Sequence, residues 1–337
     1  MRDAPAGPAA ALRSPDATAD DRRREDALFR LGRWLAEHRY QFTAITPASH
    51  ARVVRRKALA RDLRDVFGWS LPFEPTLLSA DLRTLVDDAG ALHALPDGRL
   101  RSGVRYATLG AQLFVHSAWP TVEPDAVFFG PDTYRFVHYL RRHLPRQWPA
   151  PPRIADVGCG SGAGGLLAAR WLEDAAPRLH LLDINPRALA HARVNARLAG
   201  LEGVEVARSD LLQGLAPSPD LVICNPPYLP DAAGRAYRDG GALLGSALSL
   251  RLLREAIPRL RPGGWLLLYT GTAVIDGQPV FEREALALLR ELAATRPLHY
   301  AYEELDPDVF GEELEEPALR AAERIAVVGL SVQVRAT

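Results

Sequence analysis

The amino-acid sequence predicts an α/β protein in which a smaller helical domain carrying a β-wing precedes a mostly parallel sheet with crossover helices. Three observations lead to that expectation. Past Pro149-Ala150-Pro151-Pro152, short apolar runs alternate with helical periods, the pattern of a parallel sheet. A glycine-rich turn, Gly158-Cys159-Gly160-Ser161-Gly162, follows the first of those runs and opens into a helix. The 337 residues are 47% hydrophobic, which is enough for a large core plus a second domain.

Residues 1–21 are Ala, Pro, Asp and Arg without periodicity, a composition that cannot offset the entropy of ordering, and read as a disordered tail. Residues 22–120 read as a helical domain with a wing. From Arg22, Leu28, Leu31, Trp34 and Leu35 share one helix face; after Thr46-Pro47 a second helix runs to Phe67 and stops at Gly68; a third spans Ser79 to Gly90. The turn Asp97-Gly98 and the alternating segments Val104 to Leu109 and Gln112 to His116 predict a hairpin. Three helices and a wing resemble a winged helix. Residues 121–148 read as a linker and substrate-proximal segment, and 149–337 as the sheet domain. Its strands are expected at Arg153–Val157, His180–Asp183, Val204–Arg208, Leu221–Cys224, Trp265–Tyr269, His299–Leu305 and Arg324–Arg335.

Acidic and basic residues balance at 41 each, so no overall field steers the chain toward polyanions. The run Arg52, Arg55, Arg56, Lys57, Arg61, Arg64 is interrupted by Asp62 and Asp65 and reads as a solvated helix face, so nucleic acid is not favoured. Cys159 and Cys224 are the only cysteines, which suits a reducing cytosol. With no apolar run long enough for a membrane span or a signal peptide, a cytoplasmic location is expected. No metal site is expected.

The segment Ile154 to Gly162 places Asp156 at a strand end, ahead of alternating glycines that permit a tight turn and close ligand approach. A dinucleotide-binding turn uses glycines in the same way. The acidic residues at the strand ends decide between the two ligands. Asp156 suits an ammonium and a sulfonium better than a pyrophosphate; Asp183, ending the second strand, can accept from both ribose hydroxyls; Asp210, after the third, can accept from an adenine amino group while Leu211 covers the ring. These acids at successive strand ends fit S-adenosylmethionine. The cofactor-binding candidates are therefore Asp156, Gly158, Cys159, Gly160, Gly162, Asp183, Ile184, Asp210, Leu211 and Asn225.

Asn225-Pro226-Pro227-Tyr228 follows the fourth strand, at the edge where open α/β sheets bind ligands. An amide or aromatic amine has its lone pair delocalised, and becomes a nucleophile only when its N–H bonds are held elsewhere. The Asn225 side-chain oxygen and the Pro226 carbonyl can each accept one of them. Pro227 and Pro226 add no competing donor and stiffen the loop. Tyr228 offers a ring face to a flat substrate. Asn225, Pro226 and Tyr228 are the catalytic candidates, and Pro227, Pro131 and Thr133 the substrate-proximal ones.

On these motifs the sequence, from about Pro149 to its end, resembles the class I S-adenosylmethionine-dependent methyltransferases. The resemblance implies a Rossmann-like seven-stranded sheet, with the glycine turn facing methionine, Asp183 the ribose and Asp210 the adenine. The Asn-Pro-Pro-Tyr motif and Gly130-Pro131-Asp132-Thr133 resemble the glutamine N5-methyltransferase group, although the wing departs from the helical bundle of that group. N-methylation of a planar amide or amino nitrogen is expected, with a protein glutamine ahead of a nucleobase of rRNA, tRNA or DNA and of a small molecule. A non-catalytic cofactor-binding scaffold is the reading from another class.

Overall fold

The computed structural model describes residues 18–336 apart from 217, 232, 233 and 236. The tail expected over 1–21 is corrected at its end, where residues 18–21 cap and begin a helix, while residues 1–17 lie outside the described residues. Helix α1 (Ala19–Glu37) starts ahead of Arg22 because Thr18 and Asp21 form a capping box: the Asp21 N–H donates to Thr18 Oγ1 at 3.1 Å, and the Thr18 N–H to Asp21 Oδ2 at 3.0 Å. Its buried face is Leu28, Leu31 and Leu35.

The single helix expected from Thr46-Pro47 to Phe67 is corrected to two, α2 (Pro47–Val54) and α3 (Leu63–Phe67). The break has a local cause. Asp62 caps α3 by accepting the Asp65 N–H at 2.8 Å. The buried Asp65 carboxylate then takes the Arg61 N–H at 3.0 Å and the Lys57 ammonium, so the basic run folds back onto its own acid. Helix α4 (Ala80–Asp88) follows its Ser79 cap. Two antiparallel ribbons come next, β1 (Leu92–Ala94) with β2 (Leu100–Ser102) and β3 (Val104–Leu109) with β4 (Gln112–Ser117).

After α5 (Pro131–His143) the chain alternates strand and helix: β5 (Arg153–Val157), α6 (Ala163–Trp171), β6 (Arg178–Asp183), α7 (Pro186–Ala199), β7 (Val204–Arg208), β8 (Leu221–Cys224), α8 (Ala247–Arg259) and β9 (Trp265–Ile275). The short β10 (Gln278–Pro279) turns into α9 (Val280–Ala293), and β11 (Leu298–Asp306) and β12 (Arg324–Val334) close the sheet. The strand order is β11-β12-β9-β8-β5-β6-β7. Pairs β5/β6, β6/β7, β5/β8 and β8/β9 are parallel, while β12 runs antiparallel to β9 and β11. Seven strands in this order agree with the seven-stranded Rossmann-like sheet expected from the sequence, and the reversal between β5 and β8 leaves a crevice at the carboxyl edge of the switch point.

Strand alternation divides the interior in two. Ile154, Leu221, Ile223, Leu267 and Tyr269 join one core; Ala155, Val157, Val222, Cys224, Leu266 and Leu268 join the other. The first core continues into the N-terminal elements through Leu28, Leu31, Tyr106 and Phe114. Asn195 of α7 clasps the two parts: its side chain accepts the Val115 N–H at 2.8 Å and donates to the carbonyls of Val115 and Ser161 at 3.1 and 2.8 Å. Beside it, Arg193 forks onto the Glu25 carboxylate at 2.6 and 2.9 Å. No described helix is long and apolar enough to cross a membrane.

Candidate active site

At the end of β5 the chain turns through Gly158 (φ +65°) and Gly160 (φ +54°), a region L side chains rarely adopt. A Cβ at either position would meet nothing within 4 Å, so the turn presents bare backbone to open space. The turn is held from β6: Asp183 Oδ2 accepts the Gly160 N–H and Oδ1 the Asn185 N–H, both at 2.9 Å. Burial raises the Asp183 pKa, and those two N–H bonds oppose the shift. Asp156 is fully buried with one oxygen on the Gly165 N–H at 2.7 Å; burial pushes its carboxyl up to about 7, with Asp183 adding to the rise. Ile184, next to Asp183, is 50% exposed, an apolar face turned outward beside a carboxylate.

The Asn225-Pro226-Pro227-Tyr228 loop leaves β8 directly beside this turn. Among the described residues, the Asn225 amide makes no hydrogen bond. Tyr228 is buried: its hydroxyl donates to Asp132 Oδ2, and its ring fills the space that a Cβ at Gly271 would occupy. Asp132, in the first turn of α5, also accepts from the Tyr269 hydroxyl at 3.0 Å and lies 3.4 Å from Arg135. Burial raises its pKa against these three partners. Gly240 and Gly245 lie against the same loop, since a Cβ at Gly245 would collide with the Tyr228 carbonyl oxygen. The Gly240 N–H donates to the Leu229 carbonyl at 2.8 Å, which joins the glycine segment to the loop's exit.

Both halves open onto one cleft of about 580 Å³. Of the residues picked from the sequence, Asp156, Gly158, Cys159, Gly160, Asp183, Ile184, Asp210, Leu211, Thr133 and Asn225 to Tyr228 line it. Two do not. Gly162 sits beneath the turn as the cap of α6, against Leu181 and Leu166, and Pro131 occupies the first helical position of α5. Asp210 is half exposed and gripped by Arg251 through two bonds of 2.7 and 2.9 Å, which leaves its remaining lone pairs for a ligand. Leu211 holds a left-handed backbone (φ +48°) and is buried.

Further residues that are not among the site candidates also line the cleft. Pro47 and Ala48 of α2 and the segment Trp119 to Val122 reach the rim from the N-terminal part of the chain. The stacked pair Phe128 and Tyr237, 6.3 Å apart, joins them, as do Phe310, Glu312 and Glu313 from the loop after β11. A larger groove of about 1270 Å³ lies between α1, α5 and α6, but none of the strand-end residues lines it.

The donor set fits a cationic cofactor bearing a ribose. Carboxylates stand at the ends of β5 and β6, bare glycine backbone lies between them, and an exposed aliphatic side chain is placed where a ring can rest. The described arginines that line the cleft are already paired, Arg235 with Asp231 and Arg238 with Glu313, so neither offers the glycine turn the free guanidinium that suits a pyrophosphate. Burial pushes the Cys159 and Cys224 thiols well above their usual range, which removes them as nucleophiles.

Residues 137–278 match the family model for the methyltransferase small domain. A release factor glutamine methyltransferase of Deinococcus radiodurans is 37% identical over 161 residues, covering 44% of this chain and 55% of that one. The release factor glutamine methyltransferase of Bordetella pertussis is 31% identical over 202 residues, 56% of this chain and 72% of that one. The ribosomal RNA small subunit methyltransferase C of Chromohalobacter salexigens is 35% identical over 120 residues, 36% of this chain and 32% of that one. The chain spans a little over half the length of the first curated relatives it matches.

Proposed function

Because the chain belongs to the class I S-adenosylmethionine-dependent methyltransferases, in the group that includes the release factor glutamine methyltransferases, we propose that it methylates a planar nitrogen, the side-chain amide of a protein glutamine. One observation carries this reading: the unpartnered Asn225 amide and the glycine turn held by Asp183 line the same cleft. The sulfonium cofactor supplies an activated methyl and a neutral leaving group. The chain's own part is alignment. Asn225 Oδ1 and the Pro226 carbonyl accept the two N–H bonds of the acceptor amide, which turns its lone pair toward the cofactor side of the cleft. Asp183 holds the ribose hydroxyls, Asp156 the ammonium, and Ile184 and Leu211 the adenine. Tyr228 has its hydroxyl engaged and its ring on Gly271, so it anchors the loop and offers only its cleft-facing edge to the acceptor.

The names of the relatives support glutamine over a base, and a release factor is the first acceptor to try. Radiolabelled cofactor offered to release factor, total protein, RNA and DNA tests the choice. Label in glutamine is expected; label in RNA or DNA alone moves the reading to base methylation, and tight cofactor binding with no transfer leaves a scaffold. Asn225→Ala is expected to keep cofactor affinity and to lower turnover by about a hundredfold or more, the scale on which one aligned polar contact acts in a transition state. Full activity in that variant rejects the proposed chemistry.

A further inference from the structure

The Asp132 carboxylate ties three elements together and is not assigned by the motif that carries the chemistry. It stands in the first turn of α5, 6% exposed, with Oδ2 on the Tyr228 hydroxyl of the acceptor loop and Oδ1 on the Tyr269 hydroxyl of β9 at 3.0 Å. Its cationic neighbour, Arg135, is 3.4 Å away and is shared with Asp306 at 2.9 Å. Burying a carboxylate with so little compensation costs free energy that an apolar side chain of similar size would not. What the carboxylate supplies instead is direction: two acceptor oxygens aimed at two phenols from different elements.

The loop it grips is unusually able to transmit that restraint. Pro226 and Pro227 fix their own φ near −65°, and each residue that precedes a proline, Asn225 and Pro226, is confined to extended ψ. The phenol and the amide belong to one run of four consecutive residues, and few of its dihedrals are free. Fixing Tyr228 therefore fixes Asn225. Gly271 completes the seat by leaving room for the ring, and the Phe310 ring lies 6.2 Å from it at a tilt of 55°.

We infer that Asp132 is a positioning residue for methyl transfer: through Tyr228 it sets where the Asn225 oxygen and Pro226 carbonyl meet the acceptor nitrogen. The inference rests on the function proposed above, and a readout independent of any acceptor separates the two. Asp132→Asn, Tyr228→Phe and the double variant are compared with wild type, with Tyr269→Phe as the case in which the same carboxylate loses a partner on a rigid strand.

In the cofactor-bound protein, backbone hydrogen exchange at Leu229 and Gly240, whose N–H groups are bonded at the exit of the loop, should speed up about tenfold or more in Asp132→Asn and Tyr228→Phe, and less in Tyr269→Phe, as expected for loss of a charge-assisted bond. The cofactor Kd should stay within about twofold, since the bond that is cut joins Asp132 to Tyr228 and the proposed cofactor contacts lie on other residues of the cleft. With an acceptor that the wild type methylates, kcat should fall about tenfold or more in each single variant, and the double variant should fall little further, because one bond has been cut from either end. Unchanged exchange in both single variants overturns the inference. So do multiplicative losses in the double variant, or losses of cofactor affinity that parallel those of kcat. Should the wild type methylate nothing, the exchange data still decide on Asp132 while the functional reading falls alone. If Asp132→Asn does not fold, Tyr228→Phe cuts the same bond without altering a buried charge.

Discussion

At Asp156, stability and ligand binding pull one carboxylate in opposite directions. Burial lifts its pKa to about 7, so in the free protein the proton is held more tightly when folded than when unfolded. That contribution to stability is complete below the unfolded carboxyl pKa and is lost as pH rises through about 7. A ligand bringing an ammonium reverses the preference, because it binds the ionised form. Cofactor affinity is therefore expected to rise with pH up to about 7 and to flatten above it, with a proton released on binding below that point. Calorimetry between mildly acidic and mildly alkaline pH, in wild type and Asp156→Asn, isolates the effect: the variant should lose the slope. An identical slope in both proteins removes Asp156 from the cofactor site. Asp156 and Asp183 were legible in the sequence since each ends a strand beside a glycine turn. The segment Gly130-Pro131-Asp132-Thr133 was legible as a resemblance, but the pairing of Asp132 with Tyr228 and Tyr269 was not, because those phenols lie 96 and 137 residues further along the chain.

The acceptor loop and β9 fit together as elements at Gly271. A strand glycine often marks the close approach of another group, and here the group is the Tyr228 ring, which lies where a Cβ would stand. Gly271→Ala should push that ring out, cost about 1–3 kcal/mol of stability as an overpacked core site does, and lower turnover while leaving cofactor affinity intact. Thermal unfolding, calorimetry and kcat on the same preparation check the three parts, and a variant with wild-type turnover would show that the seat of the ring is not critical. The helix that the sequence predicts from Thr46-Pro47 to Phe67 fails on the same scale. Its apolar and basic spacing is helical, yet Asp62 offers a second cap, and Asp65 is worth more as the buried partner of Lys57 and Arg61 than as a surface residue of a longer helix.

For the molecule as a whole, the decisive contact is the clasp at Asn195. Replacing it with Ala strands the Val115 N–H and two carbonyls in the interior, at about 1–3 kcal/mol for each group left unsatisfied. Because the N-terminal elements and the sheet share one core, Asn195→Ala should lower the unfolding temperature by several degrees or more in a single transition; two separate transitions in the wild type would show that the two parts fold independently. The same clasp holds the Ser161 carbonyl in the glycine turn, so the N-terminal elements are joined to that turn and not only to the rim of the cleft. By itself the sequence determined the parallel sheet, its glycine turn, the acids at its strand ends and the Asn-Pro-Pro-Tyr loop, because periodicity, backbone permissiveness and strand-end position are local properties. Only the tertiary structure decided that Asp132, Tyr228 and Tyr269 meet, that Pro47 and Trp119 reach the cleft, and that Asn195 joins the hairpin to the glycine turn. Those contacts unite residues far apart in the chain, and a pairing that depends on how packed elements converge leaves no periodic mark on either partner.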